Sequence, residues 1–334
     1  MTNDLYILSI ETSCDETSMA VFKNNQLLAH NITTSMQVQA DYGGVVPEVA
    51  SRYHEQNIVL VFRTVIKQAG INPNQLTHIA YTAFPGLPGC LHVGKVFADL
   101  ISRIYRAELV KINHLHAHLF SAGIDQPIKF PFLGLVVSGG ETSIYHVKDY
   151  DDIEIINQTQ DDAVGEVYDK IARILGWNYP GGPIIDKHYD PEEADLMLVK
   201  HPKPEQMFSF SGLKTAFINY VHNLRQKKRD VNKVQVGSSL QKYIVDELCL
   251  KLEYYLQRYN LNRIYLGGGV SANKLLRTRI KTLANEVYIP QLLYTTDNAA
   301  MIGIYAYFLI KNNKKSVLIK INEDLCAWKK NKNN

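Results

Sequence analysis

Cysteine is scarce: Cys14, Cys90, Cys249 and Cys326 lie far apart, with no Cys-x-x-Cys pair among them. That argues against a disulfide framework or a zinc ribbon and suits a reducing compartment. Long apolar runs are missing as well. No stretch approaches the roughly 20 residues needed to span a bilayer. The start, MTNDLYILSIETS, has no basic region before its short apolar run and reads as a strand, not a signal peptide. Charge of one sign is not in excess either, since 36 Lys and Arg face 33 Asp and Glu. A net charge of +3 is too small to signal nucleic acid by itself. The basic residues do cluster, at Lys227-Lys228-Arg229 and at Lys329, Lys330 and Lys332 in the tail. A solvated helix end and a frayed terminus explain both clusters about as well as an RNA contact. The expectation is a soluble cytoplasmic protein. With 334 residues, 46% hydrophobic and 21% charged, the chain has material for two domains with full cores.

What is present begins with a repeat. LSIETSCDETSMAVFKNNQLLAH from Leu8 and LGLVVSGGETSIYHVKDYDDIEII from Leu133 share one frame at an offset of 125 residues. In each, an apolar strand enters a small polar turn, then Glu-Thr-Ser, a second strand, another turn and a third strand. The likeness continues. A helix at about 53–69 precedes the strand His78-Ile79-Ala80-Tyr81-Thr82, and further helices precede the strand Arg263-Ile264-Tyr265-Leu266. Two copies of a β-β-β-α-β-α-β-α pattern predict an α/β protein of two lobes around a central cleft. The predicted division is 1–128, then 129–310 with an extra, mostly helical stretch at about 160–230, then 311–334 as a C-terminal segment and basic tail. The C-terminal helix is expected to pack back on the first lobe.

Three Gly-rich turns could face a ligand: Ser138-Gly139-Gly140, Pro180-Gly181-Gly182-Pro183 and Gly267-Gly268-Gly269-Val270-Ser271-Ala272-Asn273. Glycine lets backbone N–H groups approach an anion, although each turn is also explained as a tight turn and nothing more. Together, two of them on equivalent turns of a duplicated fold, they favour a nucleotide. Gly89 to Lys95 mimics a phosphate-binding loop, but position 96 is Val, with no hydroxyl for magnesium, and Pro85 and Pro88 flank the turn. It is set aside. Carboxylates are plentiful nearby: Glu11, Asp15 and Glu16, then Asp161, Asp162, Glu166, Asp169 and Asp186.

NHLHAH, residues 113–118, carries histidines at 114, 116 and 118. Asn113 is a good N-cap after the strand Glu108 to Ile112, and Leu115, Leu119 and Ala122 continue at helical spacing. In a helix His114 and His118 share a face and His116 points away. A His pair becomes a metal site only with a third ligand from elsewhere. Asp297, in TTDNAAM, is one candidate, since two histidines and a carboxylate form a recurring open site. An aspartate in a first helical turn is equally well explained by the helix dipole.

ETSCDET (11–17), DYGGVVPEVASR (41–52), NHLHAH (113–118), VVSGG (136–140), DDAVGEVYDK (161–170), YPGGP (179–183), FSFSGLKT (208–215), GGGVSAN (267–273) and TDNAAMI (296–302) occur in this order. Together they resemble the bacterial TsaD group of the tRNA threonylcarbamoyladenosine transferases, from residue 5 to about 310. The resemblance implies a duplicated actin-like ATPase fold. It implies transfer of the threonylcarbamoyl group of threonylcarbamoyl-AMP onto the exocyclic amine of the adenosine beside the anticodon, in tRNAs reading codons that begin with A. Carried over residue by residue, it implies one divalent metal per subunit on His114, His118 and Asp297, usually assigned as iron(II), with zinc or magnesium as alternatives. The adenylate would lie on Val136, Val137, Ser138, Gly139, Gly140, Asp169, Gly182, Asp186 and Asn273. Implied partners are tRNA, a TsaB-like paralogous scaffold and a TsaE-like ATPase. The attacking amine must lose a proton, and Glu11 or Asp15 is the expected base.

Two positions depart from the pattern. Bacterial relatives usually carry His, and archaeal ones Asn, where this chain has Glu141. Position 136 is Val where archaeal and eukaryotic members have Tyr. Three other readings were weighed: a metalloendopeptidase, a small-molecule kinase on the same fold, and a non-catalytic scaffold. HExxH needs Glu after the first His, and position 115 is Leu. A scaffold is expected to lose the His, His and Asp set, which this chain keeps.

Overall fold

The computed structural model describes residues 4–316, except 41 and 43, and the pair 320–321. Cys326 and the tail lysines Lys329, Lys330 and Lys332 lie outside the described residues. The chain divides into two compact units. One comprises residues 1–129, 149–152 and 290–318, the other 130–148, 153–289 and 319–334.

The first unit opens with an antiparallel meander, β1 (Tyr6–Glu11), β2 (Glu16–Lys23) and β3 (Gln26–Thr34). There follow α1 (Met36–Ala40), α2 (Pro47–Ala69), β4 (His78–Phe84), α3 (Pro88–Tyr105), β5 (Glu108–Asn113) and α4 (His114–Phe120). Strand order is β3-β2-β1-β4-β5, with β4 parallel to β1 and β5 parallel to β4. The near-continuous apolar runs of β1 and β2 are buried throughout, as central strands covered on both faces must be. α2 starts at Pro47, whose missing N–H costs nothing at a first position, and buries Ala50, His54, Ile58, Val61 and Val65 at helical spacing. It ends where Gly70 adopts a left-handed φ of 65°. The phosphate-loop mimic Gly89 to Lys95 lies inside α3, so from Leu91 onward its N–H groups are spent on the helix.

The second unit repeats the plan with β6 (Phe132–Val137), β7 (Thr142–Val147), β8 (Ile153–Gln158), α5 (Val164–Ile174), α6 (Gly181–Lys187), α7 (Ser211–Gln226), α8 (Lys233–Arg258), β9 (Arg263–Gly267), α9 (Lys274–Ile280) and β10 (Glu286–Tyr288). After them come α10 (Ala299–Lys311) and β11 (Lys320–Ile321). The order β10-β9-β6-β7-β8-β11 reproduces that of the first sheet, with β11 added at the β8 edge. α5 turns Val164, Val167, Tyr168, Ile171 and Ala172 into a core shared with α7 and α8.

Two sequence expectations need correction. The second unit leaves off at Ile289, not at 310, and resumes at 319, because residues 290–318 belong to the first unit, where α10 packs on β1, β2 and α4. The stretch at 160–230 is less helical than its periodicity implied. Residues 188–210 contain no helix, and Pro191, Pro202 and Pro204 punctuate them. Lys251 of α8, fully buried, holds this stretch by donating to the carbonyls of Lys203 and Gln206 at 3.3 and 2.6 Å.

Candidate functional site

In the first unit, Asn113 ends β5 and caps α4, its side-chain oxygen accepting from the N–H groups of Leu115 and His116. Such a cap contributes about 1 kcal/mol and fixes where the helix begins. His114 and His118 therefore stand one turn apart, their rings 4.7 Å between centroids. His116 points elsewhere, fully buried with its ring 6.4 Å from that of Tyr305. Asp297 arrives from the segment before α10, placed by two local devices. Asn298 caps α10 by accepting from Met301 N–H, and Ser18 Oγ accepts from Ala299 N–H at 2.9 Å. Asp297 Oδ1 lies 3.1 Å from His118 Nε2 and 3.3 Å from His114 Nε2.

Ligand atoms of His114, His118 and Asp297 all fall within 4.8 Å of one another. Two imidazole nitrogens and a carboxylate oxygen form a donor set that fits a first-row divalent metal. The histidines are buried, while Asp297 keeps 21% of its side chain exposed.

Glu11, at the end of β1, holds His114 from behind. Its Oε2 lies 3.0 Å from His114 Nδ1 and accepts from the Thr82 hydroxyl at 2.5 Å, and its Oε1 accepts from Ser13 N–H at 2.5 Å. With Nδ1–H directed at Glu11, Nε2 is the nitrogen His114 turns toward Asp297, and the one a metal would take on displacing its proton. Burial opposes charge on all these groups, yet His114 is held well above the usual imidazole range by Asp297 and Glu11. Against the same burial, His114 holds Glu11 and Asp297 below the usual carboxylate range. Glu11 was expected as a base. It is fully buried with both oxygens engaged, an arrangement that orients His114. Asp15 lies beside Glu16, whose carboxyl is pushed well up by burial and by Asp15. Ser13 and Thr82 carry no local signal for their part in holding Glu11, since each is an ordinary polar residue in sequence.

The second unit gathers the glycine turns. Ser138-Gly139-Gly140 links β6 to β7, closed by Ser138 N–H donating to Glu141 O at 2.8 Å and Glu141 N–H donating to Ser138 Oγ at 3.1 Å. Gly165, at the start of α5, packs so closely on this turn that a Cβ would sit 2.7 Å from Gly139 Cα and from Ser138 O. At Gly139 and Gly140 a Cβ would meet nothing within 4 Å, so the outer side of the turn is open to a ligand. Val136 and Val137, expected among the adenylate contacts, have fully buried side chains in β6, so a ligand would meet them through their backbone. Glu141 folds back to accept from the Ser143 hydroxyl, and burial raises its carboxyl above the ordinary value. A more readily neutralised carboxyl lessens its repulsion of a phosphate.

Asp169 accepts from Gly181 N–H at 2.7 Å, tying α5 to the PGGP turn beside Gly182. Asp186 Oδ1 accepts from Lys274 N–H at 3.1 Å and from Gln241 Nε2 at 3.2 Å. Asn273 caps α9 by accepting from Leu276 N–H, and Gly268 beside it adopts φ 86°, where a Cβ would lie 2.4 Å from Val137 O. Asp161 and Asp162 are structural. Asp161 accepts from the backbone N–H groups of Phe210 and Ser211 and the hydroxyls of Ser209 and Ser211, and Asp162 pairs with Lys214 at 2.6 Å. Lys227 and Lys228 lie exposed after α7. Among the described residues no helix is long and apolar enough to cross a membrane.

Comparison with known proteins bears on this arrangement. Residues 26–304 match the family described as TsaD, tRNA N6-adenosine threonylcarbamoyltransferase. A protein of that name from Ureaplasma urealyticum serovar 10 is 62% identical over 320 residues, which are 96% of this chain and all of the relative. One from Mycoplasma pneumoniae is 45% identical over 325 residues, 94% of this chain and all of the relative. Among solved structures, full-length HypF in its phosphate- and nucleotide-bound form superposes with a TM-score of 0.64 at 11% identity, over 93% of this chain and 56% of that one. At that identity the likeness speaks for the fold alone. It agrees with the duplicated actin-like architecture, and nothing in these relatives supports a peptidase or a sugar kinase.

Proposed function

The chain belongs to the TsaD family and is a tRNA N6-adenosine threonylcarbamoyltransferase, and from that premise we propose how its two units serve the reaction. The donor is threonylcarbamoyl-AMP. Its adenylate is held in the second unit by the open Ser138-Gly139-Gly140 turn, Asp169, Gly182, Asp186 and Asn273. Backbone N–H groups of the turn direct the phosphate, so that a good leaving group is oriented before transfer.

His114, His118 and Asp297 hold a divalent metal, iron(II) by preference, with zinc or magnesium as alternatives. When bound, the metal supplies Lewis-acid polarisation of a carbonyl oxygen. Glu11 fixes the His114 ring and its tautomer. Asp15 takes the proton of the attacking amine, with Glu11 the alternative base. The acceptor is the exocyclic amine of the adenosine beside the anticodon, in tRNAs reading codons that begin with A. The tRNA is held largely through its phosphates, by lysines such as Lys227 and Lys228 together with surfaces of a TsaB-like scaffold and a TsaE-like ATPase. The cytoplasm is the compartment this reading assigns to the reaction, in keeping with a tRNA substrate.

The observation that carries the metal reading is the convergence of His114, His118 and Asp297 within 4.8 Å, from positions up to 183 residues apart. Purified protein, partner subunits, iron(II), ATP and threonylcarbamoyl-AMP should modify an unmodified tRNA at that adenosine, read by mass spectrometry of nucleosides. A complete mixture that leaves the tRNA unmodified would overturn the donor and metal assignments.

A further inference from the structure

Gln241 is fully buried on α8, sharing its face with Gly237, Ser238, Ile244, Val245 and Leu248. A primary amide in such surroundings costs free energy unless both of its ends are hydrogen-bonded. Both are. Nε2 donates to Asp186 Oδ1 at 3.2 Å, and Oε1 accepts from Asn273 Nδ2 at 2.8 Å.

The polarity of this chain is fixed from both ends. Leu276 N–H can only donate, so Asn273 presents Oδ1 to it and turns Nδ2 toward Gln241. Gln241 must then present its oxygen to Asn273 and its NH2 to Asp186, whose Oδ1 already accepts from Lys274 N–H at 3.1 Å. Oδ1 is therefore committed to the protein, and among the described residues no donor engages Oδ2. One glutamine thus sets the direction of two side chains from separate elements, the carboxylate late in α6 and the amide that caps α9.

We propose that Gln241 is a positioning residue of the adenylate site: it fixes Asp186 so that Oδ2 accepts from a sugar hydroxyl of the nucleotide, and locks Asn273 in the same frame. The inference rests on the adenylate reading given above and extends it to a residue that does not itself touch the ligand. An apolar residue would fill the same space on α8 and leave Asp186 held by Lys274 N–H alone and Asn273 by Leu276 N–H alone.

The test is AMP binding by the full-length chain, measured calorimetrically. Gln241→Met keeps length and approximate volume while removing both hydrogen bonds, and it should raise the Kd for AMP about tenfold, the loss expected for one well-oriented hydrogen bond. In an Asp186→Ala background the same change should raise it less than twofold, because the residue it acts through is gone. Gln241→Glu carries the test should the Met variant fail to fold. At neutral pH its carboxylate repels Asp186 and AMP binds weakly. As pH falls the protonated acid can donate to Asp186, so binding relative to wild type should recover. A Met variant within twofold of wild type, an equal loss with and without Asp186, or a Glu variant with no pH-dependent recovery would each overturn the proposal. Failure of the wild-type chain to bind AMP would overturn the adenylate reading and this inference with it.

Discussion

Glu11 Oε2 lies 3.0 Å from Nδ1 of His114, across 103 residues of sequence. A carboxylate behind a histidine whose other nitrogen faces Asp297 raises ligand basicity and pins the ring. Glu11→Gln keeps the shape and removes the charge. Titration of metal-free protein with iron(II) or zinc should show an affinity lowered about 10–100-fold. Unchanged metal affinity with a collapsed kcat would return Glu11 to the role of base.

Neighbouring histidines should separate cleanly. His114→Ala, His118→Ala and Asp297→Ala each remove one of three protein ligands and should lower bound metal and transfer together. His116→Ala should retain full metal content but lower stability by about 2–4 kcal/mol, because it empties a fully buried position. Metal analysis and denaturant unfolding of the four variants read both effects.

The open side of the Ser138-Gly139-Gly140 turn gives a sharper pair. Gly139→Ala points its methyl into space with no protein atom within 4 Å, so folding should be unaffected while AMP binding weakens about tenfold. Gly165→Ala drives a methyl to 2.7 Å from Gly139 Cα and Ser138 O and should cost both stability and binding. Equal AMP affinity for wild type and Gly139→Ala would show that the phosphate does not approach this turn.

Acid should weaken the first unit through His30. Burial lowers its pKa from 6.5 to about 4, so over that range the unfolded chain binds a proton that the folded chain refuses. Its contribution is complete above pH 6.5 and is lost as pH falls toward 4, on the order of 2 kcal/mol. His30→Gln should flatten that part of the stability curve, measured by urea unfolding from pH 7 to pH 4. An unchanged slope would mean that His30 stays accessible to protons in the fold.

Legibility followed the range of each interaction. The helix at NHLHAH was readable because Asn113 caps locally and 3.6-residue periodicity sorts His116 from its neighbours. Both sheets were readable because the repeated meander is a run of short-range pairings. Asp297 was a candidate by residue type, and only the family resemblance tied it to the histidine pair, since nothing at 295–301 indicates what lies opposite. The placing of Glu11 and Gln241 was not legible. Each depends on partners tens to a hundred residues away, and a glutamine inside a long helix reads as a solvated residue. Residues 188–210 were misjudged because apolar residues at helical spacing outweighed their prolines, while the bonds from Lys251 that hold them are long-range.

The return of α10 to the first unit has a consequence for synthesis. His118 leaves the ribosome 179 residues before Asp297. At bacterial elongation speeds of about 5–20 residues per second, that interval is roughly 10–35 s. Throughout it, the faces of β1 and β2 that α10 will cover have no partner, and the histidines wait without their carboxylate. The first unit begins to form early but gains Asp297 and α10 only late. A nascent chain stalled before residue 297 can therefore pair β6 through β10 of its second unit while the histidines still lack their carboxylate.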